Sequence, residues 1–596
     1  MQKRLTRSEV PVELTWDLTD IFGSVEEWES EFNAVAGMVD TVTKFKGRLG
    51  EGAKVLLDCL LAQEALQKRL AKVTAYASLN NSSDGTNPAF QAMAGKAGGL
   101  MASIQSQTSF IQSEALALPE GTLQKYLDEE PGLEPFRVTI ERMIESKPHL
   151  LQPESEMILA ALSEVLESPA RIYERSRAAD IPWEPVEDSK GNKMPMTLGR
   201  YEGAADPVLR RNAHYAHGKV LKAYQNTYGT AWGAEVKKNV VTAKLRKFPS
   251  AIHMLLDRQQ VTIDIYNNLH DIILSELSVH MRRLLQLRKK VLGLDKILYS
   301  DIEAPLDPDF EVPTTFEEGS EIILNGLSVL GPEYTAIIAD GLKNRWVDRA
   351  DNIGKQTGAF CHSVYGVHPY ISMTWTDSLR SAVTLSHELG HAGQGVLSQR
   401  YQRLANTRPT MFFIEAPSTA NEIIVGNYIL SNTKDVRTRR WLLMQFIKSY
   451  HHNMVRHLIE GELQRRAYAL AEKGQPITAA VLNQLQGEIL DEFWGGMVEI
   501  DDTARTVWMR QSHYYRGLYP YSYSAGLTIG TMVAMNIVHE GKPAAERWVN
   551  VLKAGGTKKP LELAKMAGVD MSKPDPIKAT VAHVGSMIDE VIKSFE

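Results

Sequence analysis

His387, Glu388 and His391 lie in the run His387-Glu388-Leu389-Gly390-His391. On a helix, imidazoles four residues apart stack on one face and can grip a single metal ion. Glu388, beside the first of them, is placed to take a proton from a water that the metal activates. That is the chemistry of peptide-bond hydrolysis. With 16 His in 596 positions, and about half of the 72 acidic residues counted as Glu, chance supplies roughly 0.03 such matches per chain.

Catalytic zinc usually takes three protein ligands and leaves a fourth position for water. The pattern HExxHxxGxxH is excluded, because Gln394 and Leu397 stand where its glycine and third histidine would be. From Ala392 to Ile414 there is no Asp, Glu, His or Cys, so Glu415 is the first group after His391 able to bind the ion. It opens Glu415-Ala416-Pro417-Ser418-Thr419-Ala420-Asn421-Glu422, which reads as a second helix with Pro417 in its first turn. Glu415 is therefore the expected third ligand. Glu422, two turns along the same face, either orients a ligand imidazole from behind or is an ordinary solvated acid.

The elements around these residues must position them. Apolar residues at helical intervals in Leu379–Leu385 predict a partly buried helix for the histidines. Gly390, Gly393 and Gly395 each cost that helix about 1 kcal/mol. They mark either close backbone packing around the metal or an early helix end. Tyr370-Ile371-Ser372-Met373-Thr374-Trp375 alternates in polarity, as a half-exposed edge strand does, and a peptide could pair with it. Tyr370 and Ser372 are thus candidate substrate contacts. His362 and His368, just before this strand, are expected in loops, since the metal set is already full. His513, Tyr515, Tyr519, Tyr521 and Tyr523 place five hydrogen-bonding rings in eleven residues, punctuated by Gly517, Pro520 and Gly526. A loop of this kind can aim donors at the oxygen that gains charge as a peptide carbonyl is attacked. Aromatic clusters also pack, so the group as a whole is expected to line the site.

The two ligand blocks together resemble the oligoendopeptidase F and thimet oligopeptidase family of zinc metallopeptidases, most closely the oligoendopeptidase F branch. Gly358-Ala359-Phe360, Val364-Tyr365-Gly366 and Pro369-Tyr370-Ile371-Ser372-Met373 are similar to that family's glycine-containing turn and substrate-side strand. His513-Tyr514-Tyr515 and Tyr519-Pro520-Tyr521-Ser522-Tyr523 are similar to its tyrosine-rich loop. Leu552-Lys553-Ala554-Gly555-Gly556 and Ala567-Gly568-Val569-Asp570-Met571 resemble its C-terminal signature, and weaker similarity reaches back to about Leu150. Gln394 and Pro417 depart from the commoner residues of the branch, but neither change removes a ligand. The resemblance implies one zinc ion and a mainly α fold of the gluzincin type. That fold has two helical lobes about a deep central channel, with a small β-sheet near the active site. It also implies His513, Tyr521 and Tyr523 as transition-state or substrate-backbone contacts, with Tyr515 and Tyr519 beside the substrate.

Composition fits this frame. The chain has 43% hydrophobic and 23% charged residues, as in a large globular protein. A net charge of −6 gives no basic footprint for nucleic acid. Only two cysteines, Cys59 and Cys361, argue against disulfide or thiolate-metal frameworks and suit a reducing compartment. The basic start Met1-Gln2-Lys3-Arg4-Leu5-Thr6-Arg7-Ser8-Glu9 lacks the apolar core of a secretory signal, and the apolar stretch from Ala525 to Val538 is too short and too rich in glycine and threonine to span a bilayer. No membrane partner is expected, and the cytoplasm is the predicted location.

Most of the chain reads as helix. Ser24 with Glu27 predicts a capping box, followed by an inward stripe of Trp28, Phe32, Val35, Val39 and Val42. A long helix is predicted from Thr262 to Leu292, with Ile265, Leu269, Ile272, Leu277, Leu284 and Val291 facing inward. Asp188-Ser189-Lys190-Gly191-Asn192 predicts a small hairpin, and a boundary near Arg200 separates an N-terminal helical domain, 1–200, from a catalytic domain, 201–596. The expected activity is zinc-dependent cleavage of internal bonds in oligopeptides. A zinc carboxypeptidase or dipeptidase with the same ligands is one alternative, and a silent peptide-binding protein another. The second is disfavoured by the intact Glu388.

Overall fold

The computed structural model describes residues 4–596, so Met1-Gln2-Lys3 of the basic start lie outside the described residues. Helix accounts for 71% of the protein, and among the described residues the strands form three small sheets, which is the mainly α class that the sequence predicts. No helix among the described residues is long and apolar enough to cross a membrane.

The first helices build one apolar core. Helix α1 (Val25–Gly37) starts where Ser24 accepts the Glu27 amide, but only this half of the capping box forms, because the Glu27 carboxylate reaches back to the Gly23 amide instead. Trp28 and Val35, with Val39 and Val42 beyond the helix, are buried as predicted, and Phe32 is half-buried. They pack with α2 (Ala53–Ser83) and α3 (Pro88–Thr108) in a core drawn from residues between Trp16 and Ile140 and joined by Val364 and Tyr370.

A second, larger core begins at Tyr173. Its longest element, α4 (Pro207–Leu245), is started by Asp206, whose carboxylate accepts the Val208 and Leu209 amides. The helix predicted from Thr262 to Leu292 is two helices, α5 (Ile263–Ile272) and α6 (Ser278–Val291), joined by a π-helical turn over Ile273–Leu277. That turn absorbs the five-residue step between Ile272 and Leu277, so both stay buried, while Val291 at the far end is half-buried. The predicted hairpin is present: β1 (Val186–Glu187) pairs antiparallel with β2 (Lys193–Met194) around Asp188, which accepts the amides of Lys190 and Asn192.

The remaining strands are β3 (Ile297–Leu298), β4 (Val347–Asp348), β5 (Phe360–His362), β6 (Tyr370–Ser372) and β7 (Val498–Glu499). β3 pairs with β7, and the other three form a sheet in the order β4-β6-β5. This corrects the expected edge strand. β6 is central and fully buried, with Tyr370 in the first core, edge-on to Trp16, and Ile371 in the second. Its alternation distinguishes two cores, not core from water. Tyr370 and Ser372 are each 0% exposed and cannot meet a peptide. The edge of the sheet on that side is β5, which is half-buried and includes His362, so His362 ends a strand instead of lying in a loop. His368 does lie in the preceding loop, stacked on Trp346 and bonded to Asp20.

Beside β4, Lys355 ties the two cores together. Its buried ammonium donates to the Asp348 carboxylate at 2.6 Å and to the carbonyls of Asp348, Ala350 and Met373, while Arg7 from the first segment pairs with the same carboxylate.

Three helices approach unusually closely around Glu415. These are α7 (Leu379–Tyr401), α8 (Ala416–Asn432) and, later in the chain, the helix over Tyr519–Glu540. A Cβ on Gly390 would lie 2.5 Å from the Pro417 carbonyl oxygen, and one on Gly526 would lie 2.8 Å from Glu415 Cβ. A Cβ on Gly530 would meet Thr419 Cβ at 2.7 Å. α7 runs on through Gly390, Gly393 and Gly395, so none marks an early helix end; the close backbone packing holds at Gly390, while Gly393 and Gly395 make room for the side chains of Tyr334 and Ser363.

Two outcomes follow from these contacts. Lys355→Met leaves Asp348 buried without its main cation and is expected to destabilise by about 3–5 kcal/mol, read as an earlier urea transition. Lys54→Ala, which breaks an exposed pair with Asp58, should cost no more than about 1 kcal/mol. Gly526→Ala is expected to cost about 1–3 kcal/mol by overpacking and to displace Glu415; unchanged metal retention against a chelator would contradict that displacement.

Candidate active site

α7 is capped by Ser378, whose hydroxyl accepts the Ser381 amide, and it carries His387, Glu388 and His391. Glu415 is the residue before α8, with Pro417 in the first turn, and the Ser418 hydroxyl donates to Glu415 Oε2 at 3.1 Å. The close packing at Gly390 sets the first helix against the start of the second. Glu415 Oε2 then lies 3.3 Å from His391 Nε2 and 3.6 Å from His387 Nε2. Donor atoms on one tetrahedral zinc, with bonds of about 2.1 Å, are about 3.4 Å apart. The set therefore fits a single ion of that kind, and the three residues form one ligating group.

Glu422 is not a solvated acid. Its Oε2 is 3.2 Å from His387 Nδ1, which assigns a proton to Nδ1 and makes Nε2, the nitrogen facing Glu415, the one a metal would take. Burial disfavours a charged His387, yet Glu415 and Glu422 hold its pKa well above the ordinary value. Burial likewise opposes ionisation of Glu415, and the two imidazoles hold its pKa well below the ordinary carboxylate range. Both shifts express the same demand for positive charge at one point. Glu388 is buried, and that burial raises its pKa, aided by Glu415 and opposed by His387 and His391. A carboxylate so raised is a better proton acceptor at neutral pH. β5, which carries Cys361, packs against α7, so this strand lies beside the metal helix.

The tyrosine-rich segment is not a loop throughout. After α9 (Val436–Tyr450) and α10 (His457–Glu472), a short 3-10 turn over Ser512–Tyr515 leads into α11 (Tyr519–Glu540). Tyr519 and Tyr523, four apart, share a face of α11 with ring centroids 5.1 Å apart, and His513 lies 5.2 Å from the first and 5.7 Å from the second. Gly526, one turn beyond Tyr523 on α11, abuts the Glu415 side chain, which joins this trio to the metal ligands.

Tyr521, two residues from each of its neighbours, points to the opposite face, where it is 1% exposed and donates to Gln259 at 2.8 Å. It is therefore a core residue, which corrects its assignment as a transition-state contact. Tyr515 is half-buried against the second core, its ring centroid 5.0 Å from that of Tyr173. Reasoning from the sequence also missed Glu460 and His457 on α10, which contact His513 from behind. Their i, i+3 spacing was the available signal, but their burial was not visible.

The sequence profile of peptidase family M3 matches residues 201–583, and one described as oligopeptidase F matches residues 114–182. Oligopeptidase PepF of Bacillus subtilis is 33% identical over 98% of this chain and 88% of its own length. The group B oligopeptidase PepB of Streptococcus agalactiae is 28% identical over 96% of each chain. Among solved structures, oligoendopeptidase-F from Enterococcus faecium has a TM-score of 0.74 at 24% identity, covering 96% of this chain and 99% of its own. A peptidase from Chlamydophila abortus, described as putative, superposes at a TM-score of 0.87 and 24% identity over 98% of this chain and 100% of its own. The histidine pair, its glutamates and these matches agree: the chain belongs to peptidase family M3, on the oligoendopeptidase F branch, and is a metalloendopeptidase.

Proposed function

We propose that the chain hydrolyses internal bonds of short oligopeptides with one zinc ion held by His387, His391 and Glu415. The observation that carries this reading is the convergence of those three donors, at single-ion spacing, beside a buried carboxylate that is not a ligand. Zinc, when bound, supplies Lewis acidity that lowers the pKa of water to about 7 and polarises the scissile carbonyl. Glu388 takes the proton of the attacking water and passes it to the leaving amine. Glu422 keeps His387 turned toward the metal position. His513, Tyr523 and Tyr519 donate to the carbonyl oxygen as it gains charge, a role supported by their grouping next to Glu415.

The substrate main chain adds to β5, not to β6, because β5 is the sheet edge next to α7. The first 200 residues act as an N-terminal helical domain that, with the catalytic domain, walls a channel admitting unfolded peptides. Two unpaired cysteines, Cys59 and Cys361, suit work in the cytoplasm.

Glu388→Gln is expected to keep one zinc per chain and to lose about 10²- to 10⁴-fold in kcat; near-normal turnover in a zinc-replete sample would refute its role. An internally quenched peptide with an amidated C-terminus should be cut as fast as the free acid. A requirement for the free carboxylate would instead make the enzyme a carboxypeptidase.

A further inference from the structure

On α10, His457 and Glu460 sit one turn apart and are 2% and 6% exposed. Glu460 Oε2 lies 2.8 Å from His457 Nδ1 and 3.4 Å from His513 Nδ1, so one carboxylate oxygen serves two imidazoles. The other nitrogen of His457, Nε2, is 3.2 Å from His452 Nε2, and the His457 ring stacks on Tyr523 at 4.1 Å with 16° between planes. Three donor atoms of His457, Glu460 and His513 fall within 4.8 Å of one another. The 2.8 Å contact nevertheless has hydrogen-bond length, shorter than the about 3.4 Å between donors on one tetrahedral ion. Hydrogen bonds account for the cluster without a second metal.

The tautomers follow. An imidazole that donates through Nδ1 to a carboxylate has its lone pair on Nε2 when neutral and a second N–H there when protonated. Among the described residues, no protein group takes His513 Nε2. Burial would keep Glu460 neutral, but His457 and His513 hold its pKa down at about 2, so it stands as a carboxylate behind both rings. With Nδ1 engaged by the Glu460 carboxylate, donation to an oxyanion falls to Nε2 of the protonated ring.

We infer that Glu460 is a positioning residue for the hydrolysis: it holds His513 by Nδ1 and so turns Nε2 to the oxygen of the scissile carbonyl, while His457, held by the same oxygen, supports the ring of Tyr523. The inference rests on the reading of His513 as a transition-state donor proposed above. It assigns a function to a buried acid 53 residues away in sequence, on a helix that carries no metal ligand.

The test is a double-mutant cycle in the zinc-replete, full-length protein, with kcat and KM measured on one internally quenched peptide. Glu460→Gln is expected to lower kcat roughly 10- to 100-fold with KM changed less than about 3-fold. Zinc stoichiometry and the circular-dichroism melt should stay as in the parent. His513→Ala should lose at least as much, and the double variant should be no slower than His513→Ala, because both changes remove one function. Glu460→Asp, which keeps a carboxylate, should recover part of kcat, and it carries the same cycle if the Gln variant does not fold. Full kcat in His513→Ala would overturn the role of His513 and the inference with it. A slow His513→Ala beside a Glu460→Gln of normal kcat, or losses that multiply in the double variant, would overturn the positioning role alone. So would a second zinc per parent chain that Glu460→Gln loses.

Discussion

The site depends on one steric constraint, the contact between the backbone of α7 at Gly390 and that of α8 at Pro417–Ser418. A single methyl group at Gly390 would stand 2.5 Å from a carbonyl oxygen that has nowhere to move. Without that approach Glu415, which precedes its helix, could not reach 3.3 and 3.6 Å from the two imidazoles. The same economy of side chains recurs on the far side, where Gly526 and Gly530 let α11 close on Glu415 and Thr419. Helices normally pack 8–10 Å apart, and the glycines are what permit less. Their helix-propensity penalty is the cost of a rigid cluster in which His387 stands between Glu415 and Glu422 and His391 stands against Glu415. Such a cluster is costly to bury without a cation, and that cost favours ion binding.

Around this constraint the small sheet carries out two jobs. β6 is locked between the cores, with Tyr370 on one side and Ile371 on the other, and the Lys355–Asp348–Arg7 network fastens its neighbour β4 to the N-terminal segment. β5 is thereby held at a fixed height beside α7, with one edge paired and the other free of strand partners among the described residues. A strand that is both rigid and unpaired suits main-chain recognition, because the substrate then meets an edge that does not have to order itself.

Much of the site was legible because it follows local rules. The i, i+4 histidines needed only a helix, and Glu415 was found because no other ligand-capable residue lies between Ala392 and Ile414. The hairpin at Asp188 and the stripe of α1 were likewise local. What failed was whatever depended on the other side of an element. The alternation in Tyr370–Trp375 is the same whether the second face meets water or a second core, and only the fold distinguishes them. Rings at Tyr519, Tyr521 and Tyr523 look equivalent in a loop but divide between opposite faces once Pro520 starts a helix. The five-residue step from Ile272 to Leu277 was present in the sequence, yet it was read through as continuous helix. Glu460 was unreadable for a further reason: a buried acid and a solvated acid have the same letter, and its partner His513 comes from a distant segment.

The arrangement also bears on how selective such an enzyme can be. The groups assigned to the chemistry, namely the metal ligands, Glu388, His513 and the two tyrosines, address a carbonyl, a water and an amine, which every peptide bond has. The proposed pairing along β5 would use main-chain amides and carbonyls, equally common to all sequences. Neither source of binding energy reads side chains, so discrimination by these elements can act only through conformation: a substrate must reach the site extended and unpaired. A folded protein would have to lose its own hydrogen bonds and roughly 1 kcal/mol or more for each buried group exposed before any of that binding is recovered. Short peptides face no such barrier, and the preference for them then follows from the recognition mode itself, without a pocket for any particular residue.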